Sequence, residues 1–278
     1  TWKSRGLGDV YKRQGFTKFT DVQNQVIHEK NVGRDLLVSS QTGSGKTLAY
    51  SLSISTEILN TKKQKKSTPS GLIITPTREL ALQVFQEVQW LFQNTNLIAV
   101  TSIGGMDINK ERAKISRSFD LLIGTPGRVN DHLRKKYLNL SELSVLVLDE
   151  ADEMLDLGFK EDLDKIIEAS PDISRKLLFS ATLPKKIISL ANKYQKNPKR
   201  IEVSNQNIPH SDISYEAYFI NKKDSDNAIF NLLRFYDDKN ILIFCSTRSS
   251  VTHLHSRLLN RGFSVVCLSG CLLYTSPS

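Results

Sequence analysis

The chain has 278 residues, room for one full domain and part of a second, and a formal net charge of +9. Apolar residues make up 39% and charged residues 24%. That is a globular balance and excludes wholesale disorder, and no apolar run nears the roughly 18–20 residues of a membrane-spanning helix. The basic excess permits a polyanionic partner without requiring one. Cys245, Cys267 and Cys271 are too few for a paired disulfide framework and lack zinc-ligand spacing, which fits a reducing compartment.

Residues 1–14 show neither helical nor strand period and lack the apolar core of a signal peptide, so they read as a non-native or disordered leader. Regular text begins at Gly15. Short apolar, β-branched runs at 36–39, 72–75, 98–102, 121–124, 145–148, 177–179 and 201–203 predict strands. Helical faces lie between them, one with Leu80, Val84, Val88 and Leu91, another with Phe159, Leu163, Ile166 and Ile167, a third with Ile187, Ala191 and Tyr194. Such alternation implies right-handed βαβ crossovers and a mostly parallel sheet covered by helices on both faces, an α/β fold over residues 15–204.

Residues 61–70 form a Lys-rich segment, read as a solvated loop with an RNA-facing patch as the minority alternative. The polar stretch 205–212, carrying Pro209, reads as a linker. Alternation then restarts in 213–270, too short for a complete α/β lobe. It predicts strands at 213–220, 241–245 and 263–268, with helical faces at Ile229, Leu232, Leu233 and Tyr236 and at Val251, Leu254 and Leu258. Residues 271–278 read as a non-native or disordered tail. His28, His132, His210, His253 and His255 form no metal constellation and read as surface or partly buried side chains, and Cys245 as a small core residue.

Two motifs carry chemistry. The first follows the strand at 36–39: Ser40, Gln41, Thr42, Gly43, Ser44, Gly45, Lys46 and Thr47, opening a helix near Leu48. Its glycines let backbone N–H groups turn towards phosphate oxygens, Lys46 has the reach for β- and γ-phosphates, and the Thr47 hydroxyl suits Mg²⁺. Ser40 stands where the general pattern has glycine. The second follows the strand at 145–148: Asp149, Glu150, Ala151 and Asp152. A buried strand ending in carboxylates places them on the sheet's C-terminal edge, where α/β proteins bind ligands. There Asp149 suits Mg²⁺ and Glu150 suits orienting and deprotonating an attacking water. Alone, the acidic cluster reads as a solvated helix start; beside the phosphate loop it reads as catalytic.

With these motifs in place the sequence resembles the DEAD-box family of ATP-dependent RNA helicases, in a bacterial form. The motif itself is spelled by 149–152, and further segments match in order. Residues 15–23, with Phe16 and Gln23, resemble the adenine-reading Q motif. Residues 76–80 with Thr77 and Arg78, the Gly104–Gly105 pair, and residues 125–128 with Thr125 and Arg128 resemble the three RNA-contacting motifs. Ser180, Ala181 and Thr182 resemble the motif that couples ATP to RNA, through Asp152, and 241–247 resembles the opening motif of a second lobe. Read as residues alone, Gln23 is a helix cap, a surface residue or an adenine reader, Thr77 and Thr125 cap a turn or meet phosphate, Gly105 makes a turn or a close approach, and Arg78 and Arg128 pair with local carboxylates or meet RNA phosphate.

The resemblance implies a RecA-like P-loop lobe followed by the start of a second, with ATP and Mg²⁺ as cofactors and RNA as a largely sequence-independent partner. It implies local duplex unwinding or RNP remodelling in the cytoplasm, in family-level settings such as ribosome assembly or RNA decay. A DNA helicase or translocase, and a non-catalytic RNA-binding fragment, are the alternatives. Phe19 stands where the family carries proline, and Gly6 where it carries an adenine-stacking aromatic. The second-lobe motifs with the arginine fingers, worth about 10³–10⁵ in turnover, are absent from the sequence. Weak nucleotide binding and slow hydrolysis are therefore expected of this chain.

Overall fold

Within the computed structural model, residues 18–59, 67–105, 107–171, 173–203, 214, 216–237 and 239–268 are described. The expected leader 1–14, Phe16, linker 205–212, tail 271–278 and the lysines of the 61–70 loop lie outside them.

Helix α1 (Asp21–Val26) precedes β1 (Leu36–Ser40), and α2 (Lys46–Ser53) and α3 (Ser55–Leu59) follow it. Then come β2 (Gly71–Ile74), α4 (Arg78–Leu91), β3 (Ala99–Ser102), α5 (Ile108–Ile115), β4 (Leu121–Gly124), α6 (Pro126–Arg134) and β5 (Val145–Leu148). The series closes with α7 (Ala151–Asp156), α8 (Lys160–Glu168), β6 (Arg175–Ser180), α9 (Lys185–Tyr194) and β7 (Lys199–Val203). The seven strands form one sheet in the order β3-β4-β2-β5-β6-β1-β7, every pair parallel. Each predicted strand of this region is present, with ends shifted by no more than a few residues.

The period-2 alternation of each strand divides the core into two layers. Leu36, Val38, Val145 and Val147 face a layer supplied by α1 to α4, including Val22, Leu52, Val84 and Val88. Leu37, Leu146 and Leu148 face a layer supplied by α5 to α9, including Val129, Met154, Leu163 and Ile187. Central β2, β4 and β5 are buried at every position, as strands covered on both faces must be. Edge strand β7 buries Ile201 and leaves Lys199, Arg200 and Glu202 exposed.

At the N-terminal edge of the sheet the buried Arg175 guanidinium donates to the carbonyls of Asn31, Arg34 and Ser53, to the Ser53 hydroxyl, and to Glu57 at 2.6 Å. Nearby, the Asp35 carboxylate accepts from the backbone N–H groups of Lys176 and Lys196. These bonds lock β1, β6 and the ends of α2 and α3 together, so the C-terminal edge is held by a rigid frame.

The chain divides into two units, Thr1–Gln206 and Asn207–Ser278. In the second, α10 (Ser225–Phe235) and α11 (Arg248–Asn260) bury Phe230, Leu254 and Leu258 against each other. The strands predicted at 213–220, 241–245 and 263–268 are not formed at their described positions. Their backbones have no ladder partner among the described residues, and Phe219, Leu242, Phe244, Val266 and Leu268 are exposed. An apolar pattern alone does not make a strand; a hydrogen-bonded neighbour does. Two further expectations are corrected: α2 starts at Lys46 rather than near Leu48, and His132 is wholly buried.

Candidate functional site

Ser40 is the last residue of β1 and keeps a negative φ, so this corner has no need of glycine. Its carbonyl accepts from Lys46 Nζ at 3.3 Å, and its hydroxyl lies 3.1 Å from that of Ser44. Gln41, Thr42 and Gly43 are exposed, and Gly43 and Gly45 take the left-handed turns, at φ 81° and 82°. Gly45 caps α2 without a side-chain acceptor. The first N–H groups of the helix and the largely buried Lys46 ammonium thus converge on one concave loop, the arrangement that binds phosphate.

Gln23 reaches this loop from α1. Thr20 and Gln23 form a capping box, and Gln23 Nε2 donates to the Gly45 carbonyl at 3.2 Å while the Thr20 hydroxyl donates to that of Ser44 at 2.9 Å. A Cβ on Gly45 would lie 2.4 Å from Gln23 Nε2. The amide therefore sets the position of the phosphate loop. Thr20 was not among the predicted site residues, although the Thr20-Asp-Val-Gln23 spacing of a capping box spells its role.

Asp149 directly follows β5 and is buried. Its carboxylate accepts from the Tyr50 hydroxyl at 3.1 Å and from the Glu150 N–H at 3.0 Å. Burial pushes the Asp149 carboxyl up, and the Lys46 ammonium pulls it back in part. Glu150 follows in a left-handed conformation, φ 51° and ψ 51°, a strained placement for a residue with a Cβ. Burial, a hydrogen bond with Glu153 and the Asp149 charge push the Glu150 carboxyl up to about 7, with Lys46 opposing. Lys46, Asp149 and Glu150 thus share one electrostatic site at the ends of β1 and β5. Thr47 and Asp149 supply one hydroxyl and one carboxylate, a donor set that suits Mg²⁺ when phosphates and water complete its shell.

Two residues on, Asp152 accepts from both the N–H and the hydroxyl of Thr182, each at 3.1 Å. Burial alone would raise this carboxyl. The Ser180 and Thr182 hydroxyls and the Thr182 amide more than offset it and hold it below the usual carboxylate range. The Ser180 hydroxyl also lies 2.5 Å from the Thr182 carbonyl, so its one proton is shared between that oxygen and Asp152.

The remaining predicted residues gather at the C-terminal ends of β2, β3 and β4. Thr77 caps α4, its hydroxyl accepting from Leu80 N–H. A Cβ on Gly105, at φ 77°, would lie 2.8 Å from Arg78 Nη1, so the guanidinium packs directly on the glycine. Thr125 precedes α6 without capping it through its side chain, and its N–H donates to Ser102. Arg128 Nη1 lies 3.6 Å from Glu111 Oε2, which His132 Nε2 meets at 2.9 Å. Tyr50, Glu111 and His132 were not predicted: each acts through a partner on another element, which spacing does not reveal. Among the described residues no group of three or more His, Cys, Asp or Glu side chains could hold a metal ion, and no helix is long and apolar enough to cross a membrane.

The DEAD/DEAH box helicase family profile matches residues 20–190. The chain is 36% identical over 268 residues to the DEAD-box ATP-dependent RNA helicase RhpA of Helicobacter pylori, covering 96% of this chain and 53% of that protein. It is 36% identical over 249 residues to the ATP-dependent RNA helicase DbpA of Bacillus subtilis, covering 90% and 51%. Among solved structures, a DEAD box protein from the hyperthermophile Methanococcus jannaschii superposes with a TM-score of 0.65 at 34% identity, over 92% of this chain and 68% of that one. The chain spans about half the length of these curated relatives. With the family profile spanning both the phosphate loop and the acidic strand end, and relatives 36% identical over most of the chain, the chain belongs to the DEAD/DEAH box helicase family.

Proposed function

We propose that this chain is the ATP-binding part of an ATP-dependent RNA helicase that couples ATP binding and hydrolysis to local RNA unwinding or RNP remodelling in the cytoplasm. The observation that carries the reading is the shared edge of one sheet. Lys46, Asp149 and Glu150 meet at the ends of β1 and β5, and Arg78, Gly105 and Arg128 gather at the ends of β2, β3 and β4. Relatives named ATP-dependent RNA helicases support it.

In this reading residues 15–204 form a RecA-like lobe, 205–212 a linker and 213–270 the start of a second lobe. The phosphates of ATP lie on the N–H groups around Gly43, Ser44 and Gly45, against Lys46. Gln23 and Phe16 are assigned to reading adenine. Thr47 and Asp149 would hold Mg²⁺, which when bound neutralises charge on the β- and γ-phosphates. Glu150 orients a water and takes its proton as the oxygen attacks the γ-phosphorus in line, and the bond to the β-phosphate oxygen breaks. The raised Glu150 carboxyl is a stronger base towards that water than an ordinary carboxylate. Thr77, Arg78, Gly105, Thr125 and Arg128 meet RNA phosphate and sugar, so binding is largely independent of sequence and sensitive to salt. Asp152, Ser180 and Thr182 link the two events.

The 278 residues alone are expected to hydrolyse ATP slowly, because they lack the arginine-finger motifs. The test is phosphate release from this chain, and from the same chain joined to a complete second lobe, with RNA, DNA or neither. RNA-specific stimulation that depends on the added lobe and disappears in Lys46→Ala supports the reading. Equal turnover with and without the added lobe overturns the claim of impairment, and stimulation by DNA alone favours a DNA translocase. Full cellular activity of Lys46→Ala in the whole protein favours a scaffold.

A further inference from the structure

We propose that Glu111 is a positioning residue for RNA binding: its buried carboxylate holds the Arg128 guanidinium and the Gly104–Gly105 turn in one register. The inference rests on the reading that Arg128 and Gly105 face RNA, and it adds the residue that orients them.

Glu111 lies on α5 and is 3% exposed. Oε1 accepts from the N–H of Ile103, the residue before Gly104, at 2.9 Å. Oε2 lies 2.9 Å from His132 Nε2 and 3.6 Å from Arg128 Nη1. A carboxylate only accepts, so His132 donates from Nε2. Its Nδ1 is buried with no hydrogen-bond partner among the described residues. The ring is thus oriented by Glu111, and in return fixes where Oε2 sits. A pairing that served stability alone would need two side chains. Here one carboxylate ties a backbone N–H at the root of the glycine turn to a side chain of the neighbouring motif, across α5 and α6.

The energetics point the same way. A buried charge pair rarely improves stability over apolar residues of equal volume, because desolvation offsets the Coulomb gain. What it does provide is a single geometry. RNA phosphates recur at a fixed spacing, so an Arg128 free to swing relative to Gly105 would lose entropy on every contact. A guanidinium carries five donors in a rigid fork, so one edge turned to Glu111 is compatible with a bidentate phosphate contact. Arg128 stays partly exposed, at 12% of its side chain.

The test is anisotropy of a fluorescein-labelled single-stranded RNA with this chain, across a series of salt concentrations, with mant-ATP affinity and melting followed in parallel. Arg128→Ala is expected to weaken RNA binding about tenfold and to lower the salt slope by about 1. Glu111→Leu is expected to give the same loss and the same change of slope. Adding Arg128→Ala to it then costs less than a further twofold, and mant-ATP affinity stays within twofold throughout. Glu111→Gln, which keeps an acceptor, recovers most of the loss. If Glu111→Leu does not fold, His132→Gln replaces it in the same cycle, with a smaller loss that is again non-additive with Arg128→Ala. Unchanged RNA binding in these variants, or a loss that leaves the salt slope alone and adds fully to Arg128→Ala, overturns the proposal and leaves Glu111 a brace of the fold. If Arg128→Ala alone changes neither affinity nor slope, or the unmodified chain binds no RNA, the RNA-facing reading falls and takes this inference with it.

Discussion

The Tyr50 hydroxyl donates to the Asp149 carboxylate across 99 residues of chain. Both groups are buried, and the Tyr50 ring stands edge-on to Phe179 at 5.3 Å. Burial, reinforced by the Asp149 charge, pushes the Tyr50 hydroxyl well above its ordinary range, so it stays a donor wherever the protein is folded. Tyr50→Phe keeps the ring and removes the donor. A hydrogen bond to a charged group contributes about 2 kcal/mol, so Tm is expected to fall by roughly 4–8 °C. An unchanged Tm would show that the bond adds nothing.

Gln23 and Gly45 form a second testable pair. Gly45→Ala puts a Cβ at a left-handed position and against Gln23 Nε2, and is expected to cost about 2 kcal/mol or more. Gln23→Ala removes the bonds to Thr20 and to the Gly45 carbonyl, at about 2 kcal/mol. The double variant removes the collision along with the side chain. Its cost should fall short of the sum by about 1 kcal/mol in chemical denaturation. Strict additivity would mean that the loop and α1 are not coupled.

Glu150 makes stability depend on pH in a defined direction. Its folded carboxyl sits near 7, above the ordinary value of 4.5, so the folded state holds the proton more tightly than the unfolded chain. Its contribution is then fully favourable below about 4.5 and is lost as pH rises through 7. Glu150→Gln should melt about 2–4 °C above the unmodified chain at pH 8, allowing for solvent screening of a half-exposed group, and the gap should close towards pH 4.5. A constant gap across that range would remove the assignment.

Arg175 holds the opposite edge of the sheet. Arg175→Ala strands Glu57 and several buried carbonyls, and is expected to cost about 3–5 kcal/mol. Nucleotide affinity measured below the melting transition should change little, since no Arg175 contact reaches the phosphate loop. A large loss of affinity without loss of stability would contradict the division between frame and site.

The seven strands were legible because each is an apolar run with turn residues on both sides, and the parallel sheet followed from alternation. Short helices were not. Helix α1 has six residues and shows itself only in the Thr20–Gln23 cap, and α5 carries too few apolar residues to display a period. Ser40 departed from the phosphate-loop pattern, yet the departure is harmless because the residue belongs to a strand rather than a turn. His132 read as an ordinary partly exposed histidine because its partner, Glu111, lies 21 residues away on another helix. Arg175 drew no reading from the sequence, since its acceptors lie more than a hundred residues upstream. The second unit failed in the other direction: 241–245 and 263–268 have the composition of strands, but composition does not supply the neighbour that a ladder needs.

The register of β5 against β2 pairs Leu148 with Ile74, and the Asp149 N–H donates to the Ile74 carbonyl at 2.9 Å. The acidic tip and the segment leading to Thr77 and Arg78 are therefore adjacent rungs, about 4.8 Å apart. Any displacement of the β5 tip would be met first at the end of β2, because one peptide hydrogen bond joins the two strand ends.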